Sequence, residues 1–402
     1  MYDKIKIKDV DMNKMIRKVI KKQTAEEQKK AQVHRILSKI DNKLDDEKID
    51  KAYSDKIKIF IEPKPKHSNY SNTRMYSFNE RNYTKLNQAL CEIATKEECL
   101  KAKKYDLSGL KSFNMNIWLD LLRESNAIEG IFLEESFDFF DFRLKVRELV
   151  DTDPDSIEFD RYTYFKKLIE IDKYFTSGND DVVKDGLLLV YKGKEKHLIS
   201  PELMRQFLAL KFAYKCAKQD IYLNKKGITK TPKQKADELI ELILYVNGLI
   251  SGNECTRFRN TFIFVKGANW VPTNDRSIVP NLEALCKTIY DGKLSSKVSP
   301  IELSALFHAE FIRIHPFMDG NGRTARILSN YLLILNELPT ISIKHGDRQG
   351  YFNAINKAVE EHDLDDLVEI FYKGMQSSSK LILNTLNKVE KMEAKKTKSL
   401  DR

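Results

Sequence analysis

The chain has 402 residues, a formal net charge of +10, 32% charged residues, and only 15 Gly and 10 Pro. That length buries a sizeable core with room for two or three domains, and the scarcity of turn residues favours helices over a loop-rich β protein. No stretch approaches a membrane span, the first residues lack the apolar core of a secretory signal, and five cysteines without metal-like spacing (91, 99, 216, 255 and 286) read as reduced thiols in a cytoplasmic protein.

The positive charge is concentrated at the ends. Residues 1–40 carry 12 Lys and Arg against 5 acidic residues, and residues 380–402 carry 7 against 3. Such ends can touch nucleic acid or an acidic partner. Lys-rich solvated helices are the simpler reading.

Residues 1–110 form a basic first region with no chemistry of its own. Lys14 to Ile40 has helical periodicity, Glu62-Pro63-Lys64-Pro65-Lys66 reads as an extended linker, and Leu86 to Leu100 reads as a short helix. Phe113 to Ile128 is amphipathic. Trp118, Leu122, Ser125 and Glu129 are spaced 4, 3 and 4 and share a face, and Gly130 stops the helix. A glutamate ending an apolar face calls for a cationic partner when buried. Residues 131–250 read as a helical insertion and the start of a core. Phe137 to Val150 is aromatic and then charged, and Leu187-Leu188-Leu189-Val190-Tyr191 is a strand or a buried helical turn. Pro201 to Ala217 and Lys233 to Leu249 are helices, the second opened by Thr231-Pro232.

Arg257-Phe258-Arg259 precedes Thr261-Phe262-Ile263-Phe264-Val265, a run of β-branched and aromatic residues that predicts a strand. Lys266-Gly267-Ala268-Asn269 can turn it, and Trp270-Val271-Pro272 can return it as a hairpin. Leu282 to Tyr290 predicts a helix. Ser299-Pro300-Ile301-Glu302 opens another with a capping box, and His308 on its apolar face reads as a satisfied core histidine. This helix leads into His315-Pro316-Phe317-Met318-Asp319-Gly320-Asn321-Gly322-Arg323-Thr324-Ala325-Arg326, with a further helix behind. The inventory suits a polyphosphate. Glycines let N–H groups converge on an anion, a helix N-terminus adds its dipole, and arginines add permanent charge. Asp319 is a hard oxygen ligand suited to Mg²⁺, and His315 is the nearby group able to move a proton near neutral pH.

This stretch resembles the active-site loop of Fic domains, His-Pro-Phe-x-Asp/Glu-Gly-Asn-Gly-Arg-x-x-Arg, at every fixed position. The resemblance implies a mainly α Fic-type helical bundle with a small β-hairpin flap, plus a helical N-terminal region and an insertion. Its catalytic core would occupy residues 251–376, with a basic tail over 377–402. It further implies a protein adenylyltransferase that moves AMP from ATP to a Ser, Thr or Tyr hydroxyl of a target protein, with Mg²⁺. His315 would be the base and Asp319 the metal ligand. The backbone of Gly320, Asn321 and Gly322 would cradle phosphates, Arg323 and Arg326 would hold the β and γ positions, and Tyr351 and Phe352 would lie near adenine. Ser125-Asn126-Ala127-Ile128-Glu129-Gly130 resembles the family's inhibitory motif, Ser/Thr-x-x-x-Glu-Gly/Asn, which makes residues 111–130 an inhibitory helix with Glu129 on Arg326. Thr261 to Val265 resembles the flap that docks the target by strand addition. Two departures stand out: Thr256 where the family commonly has Gly, and a long interval between Glu129 and His315. Other donors (UTP, phosphocholine), removal of AMP, and a nucleotide-regulated nucleic-acid or partner-binding protein stay open at this point.

Overall fold

The computed structural model describes residues 76–79, 81–103, 105, 108–131, 159–176, 189–192, 195–198, 201–265, 267–268, 270–295 and 298–400. All of these lie in the unit spanning Asp55–Arg402. The expectations for Lys14 to Ile40, the Pro-Lys linker and Phe137 to Val150 fall outside the described residues.

The architecture is mainly helical. In chain order it comprises α1 (Thr84–Ala102), α2 (Ser108–Ile128), α3 (Arg161–Thr176), β1 (Leu189–Lys192), β2 (Glu195–Leu198), α4 (Pro201–Lys225), α5 (Pro232–Ser251), α6 (Ile278–Ile289), α7 (Gly292–Ser295), α8 (Pro300–Ile314), α9 (Asn321–Leu335), α10 (Arg348–Glu360) and α11 (Asp365–Leu400). β1 and β2 form a two-stranded antiparallel ladder with Leu189 opposite Leu198. The centre is α8, whose residues are all buried. Its sequence is rich in apolar residues all round, as suits a helix surrounded by others, and its few polar side chains are buried with them. α9 lies against it, and α6, α10 and α11 pack around it. The capping box at Ser299 forms as expected: Glu302 N–H donates to Ser299 Oγ at 3.2 Å, and Ser299 N–H donates to the Glu302 carboxylate at 2.7 Å. Thr231 and Gln234 cap α5 in the same way.

The charged groups on α8 and beside it are paired, as burial demands. Glu310 and Arg313, one turn apart on α8, share a buried ion pair at 2.7 Å, and Tyr76 donates to Glu310. Tyr83 donates to Glu302 at 2.9 Å, and Arg81 pairs with Asp365 at 2.8 Å. The end of the first region is therefore stitched into the helical body, and α1 packs along α11. A division at residue 110 does not follow this packing.

One expectation holds a place in this packing and another is corrected. α4 and α5 belong to the core: α4 has buried residues from Leu203 to Ala217, and both pack on α9. They are the part of residues 131–250 read above as the start of a core. α3, which the sequence reading passed over, covers α4 with Phe165 and Leu168. Thr261 to Val265 forms no strand. Phe262 and Phe264 stack edge to face at 4.8 Å on the outside, and Ala268 N–H turns back to Val265 C=O at 3.2 Å. No described strand lies beside the segment, and β propensity without a neighbouring ladder does not make a stable strand.

Candidate active site

His315 ends α8. Pro316 disfavours the α conformation for the residue before it, and His315 adopts the left-handed region at φ 50° and ψ 60°. Its Nδ1 lies 3.1 Å from Ile312 C=O. A carbonyl only accepts, so Nδ1 carries the proton and Nε2 keeps its lone pair. Burial pushes its pKa down to about 4, against the Ile312 hydrogen bond, which raises it. The ring is therefore a neutral base at pH 7.

The loop after His315 is folded on Asn321 and Phe317. Asn321 accepts from Phe317 N–H at 3.0 Å and donates to Phe317 C=O at 2.8 Å. The Phe317 ring sits 5.5 Å from Phe258 and 6.4 Å from Phe311. Asn321→Ala removes both amide bonds from a buried site, so denaturant unfolding should show a loss of about 2 kcal/mol. Gly320, at φ 76°, caps α9, and a Cβ there would lie 3.0 Å from both Asn247 Nδ2 and Ile250 Cγ2. Asn247 on α5 donates to Asp319 C=O at 3.0 Å and to Thr324 Oγ1 at 3.2 Å. The loop is thus set on α5, and it presents the first N–H groups of α9 in the direction that favours anions. The Asp319 side chain is 89% exposed, and its carboxylate takes Gly320 N–H at 2.6 Å and Arg323 at 3.1 Å.

Arg326, one turn into α9, has a side chain 4% exposed and is paired with Glu129 at 2.6 Å. Its Nε donates to Ser125 Oγ at 2.8 Å, and Nη2 also donates to Ser125 C=O at 3.0 Å. The carboxylate lies over the first turn of α9: a Cβ on Gly322 would sit 2.6 Å from Glu129 Oε1. Gly130 continues the chain at φ 84°. α2 is held from three sides. Gln206 on α4 donates to Asn126 at 2.8 Å, His345 N–H donates to Glu124 at 2.7 Å, and Arg348 on α10 donates to Ile128 C=O at 2.7 Å.

Residues 234–333 match the family described as Fic/DOC. These residues are a Fic domain. A protein named protein adenylyltransferase Fic from Nematostella vectensis is 35% identical over 141 residues, covering 34% of this chain and 31% of that protein. Protein adenylyltransferase fic-1 from Caenorhabditis elegans is 26% identical over 160 residues, covering 37% of this chain and 31% of that protein. The chain thus spans about a third of the length of these relatives. A solved Fic domain containing signaling protein from Bacteroides thetaiotaomicron is 18% identical, covers 76% of this chain and 95% of that one, and has a TM-score of 0.46.

The Fic domain brings His315, Asp319, Gly320, Asn321, Gly322, Arg323 and Arg326 onto one short arc between α8 and α9, with Ser125 and Glu129 against Arg326. Tyr351 lies deeper than the expected adenine contact. It is completely buried, with its hydroxyl 2.7 Å from His308 Nε2 and 3.5 Å from Arg326 Nη1, so its ring offers no face to adenine. The helical period aims it inward. His308 is satisfied on both sides, with Ser329 Oγ 3.0 Å from Nδ1, and burial lowers its pKa to about 3. Phe352 is half-buried, with the Arg348 guanidinium 4.6 Å over its ring. Sequence reasoning gave no role to Arg259, Asn247, Gln206 or Arg348. Arg259 stood in a noted Arg-aromatic-Arg run; the others carry no local signal.

Proposed function

We propose that this chain is an autoinhibited protein adenylyltransferase, moving AMP from ATP to a Ser, Thr or Tyr hydroxyl of a target protein. The observation that carries this reading is His315, neutral with Nε2 free, beside an anion-cradling helix start flanked by Arg323 and Arg326. A target hydroxyl is a weak nucleophile at pH 7. Nε2 takes its proton while the oxygen attacks the α-phosphorus, and the bond to pyrophosphate breaks. The backbone N–H groups of Gly320, Asn321 and Gly322 face the charge that grows on the phosphates, and Arg323 and Arg326 face the departing pyrophosphate.

Asp319 fits Mg²⁺ as a lone protein ligand. Its carboxylate is open to solvent, and among the described residues no group of three His, Cys, Asp or Glu stands together to hold a metal. Phosphate oxygens and water would complete such a shell, as is usual for this cation, which when bound supplies charge neutralisation at the phosphates. Target docking is assigned to the segment Thr261 to Val265. Phe262 and Phe264 are exposed there, and Met318 Sδ lies 3.4 Å from Thr261 Oγ1. No helix among the described residues is long and apolar enough to cross a membrane.

The test is the fate of two labels in the Glu129→Gly protein. Label at the α-phosphate of ATP should become covalently bound to protein, and label at the γ-phosphate should leave as pyrophosphate. Unlabelled UTP or a phosphocholine donor should compete poorly. Protein-bound γ-label, or transfer from the other donors in preference to ATP, would overturn the reading.

A further inference from the structure

Arg259 lies just outside the His315 loop and is 4% exposed. Its backbone N–H donates to Pro316 C=O at 2.8 Å, and Thr273 N–H donates to Arg313 C=O at 3.1 Å. The two ends of the 259–273 segment are therefore seated side by side on the end of α8. The Arg259 guanidinium then bridges them. Nε donates to His315 C=O at 2.7 Å, Nη1 to Thr261 C=O at 2.8 Å, and Nη2 to Thr273 C=O and, at 3.3 Å, to Ile314 C=O. Four carbonyls converge on one cation, two from the segment that carries Phe262 and Phe264, and two from the turn that carries the base. A rigid fork with five donors can satisfy such a set; an ammonium has three donors and no fixed plane. The bond to His315 C=O also falls on the residue at φ 50°, a conformation that needs its surroundings to hold it.

We propose that Arg259 is a positioning residue that sets the His315 imidazole relative to the target-docking segment, and that it takes no part in holding the nucleotide. The proposal rests on the transferase reading above. The carbonyls that Arg259 bridges belong to the turn that carries His315 and to the ends of the segment assigned to target docking. The nucleotide cradle, by contrast, has its own bonds: Asn321 to the Phe317 backbone, and Asn247 on α5 to Asp319 C=O. Loss of the fork should therefore spare ATP binding and misplace the base against the target. A misplacement of about 1 Å is worth roughly 100-fold in rate.

The experiment uses the full chain in the Glu129→Gly background and compares it with Glu129→Gly carrying Arg259→Lys or Arg259→Gln. Three quantities are read: ATP binding by calorimetry, kcat and KM for protein labelling, and the melting temperature. We expect ATP affinity within about twofold of the parent. kcat should fall roughly 30- to 100-fold for Arg259→Lys and further for Arg259→Gln, with KM for the target raised. Transfer by Arg259→Lys within threefold of the parent would overturn the proposal. Loss of ATP binding together with transfer, or an early melt in both variants, would also overturn it, because Arg259 would then support the whole site. A parent that binds ATP but labels nothing would instead remove the transferase reading.

Discussion

His315→Ala should lower AMP transfer by roughly 100- to 10,000-fold, the range spanned by a positioned general base. It should leave ATP bound. On the proposed reading α9 holds the phosphates, and the imidazole makes its hydrogen bond back to Ile312 on α8 rather than across the cradle. The measurement is label transfer from α-labelled ATP in the Glu129→Gly background, with ATP affinity measured beside it. Transfer within tenfold of the parent would mean that another group takes the proton. The same geometry predicts the pH dependence. Burial holds the His315 pKa at about 4, below the ordinary 6.5, so the base form is present above that value and is lost as pH falls through it. The profile of kcat/KM, which reports the free enzyme, should be flat from pH 6 to 8 with an acidic limb below about pH 5. A limb near 6.5 would place the imidazole in water.

Glu129→Gly should raise transfer by roughly 10- to 1,000-fold, the rate equivalent of releasing a paired, largely buried arginine. Arg326 cannot serve the carboxylate and a terminal phosphate with the same fork, and Glu129 Oε1 hangs over Gly322, where phosphates would approach the N–H groups of α9. The remaining anchors of α2 survive this substitution: Asn126 on Gln206, Glu124 on His345, and Ile128 C=O on Arg348. The gain therefore reports the carboxylate alone and not an undocked helix. Glu129→Gln keeps the shape and loses the charge, and should fall between the two. Equal transfer by wild type and Glu129→Gly would show that α2 does not restrain the site.

Much of the candidate site was legible because its chemistry is local. Residues 315–326 are one unbroken loop and one helical turn, so His315, Asp319, Gly320 and the two arginines must lie close together whatever surrounds them. Glu129 was legible in kind, since a carboxylate ending the face of Trp118, Leu122 and Ser125 needed a cation. Its partner, 197 residues away, was implied only by the family resemblance. The two capping boxes were equally plain, as their bonds span three residues.

The differences from expectation share a physical cause. Thr261 to Val265 has strand propensity, but a strand needs a second backbone beside it, and sequence cannot supply the neighbour. Tyr351 and Phe352 are adjacent, and a rotation of one helical residue sends the first to His308 and leaves the second half-exposed.

The 315–326 loop, the helix starts and the mainly helical class were thus contained in the amino-acid order, because each depends on contacts within a few residues. The restraint of α2 by Gln206 and Arg348, the seating of the loop on Asn247, and the meeting of four carbonyls on Arg259 were decided only when distant helices packed. A side chain's hydrogen-bonding capacity is written in its type, but the partner that satisfies it comes from whichever backbone the packed core brings within 3 Å.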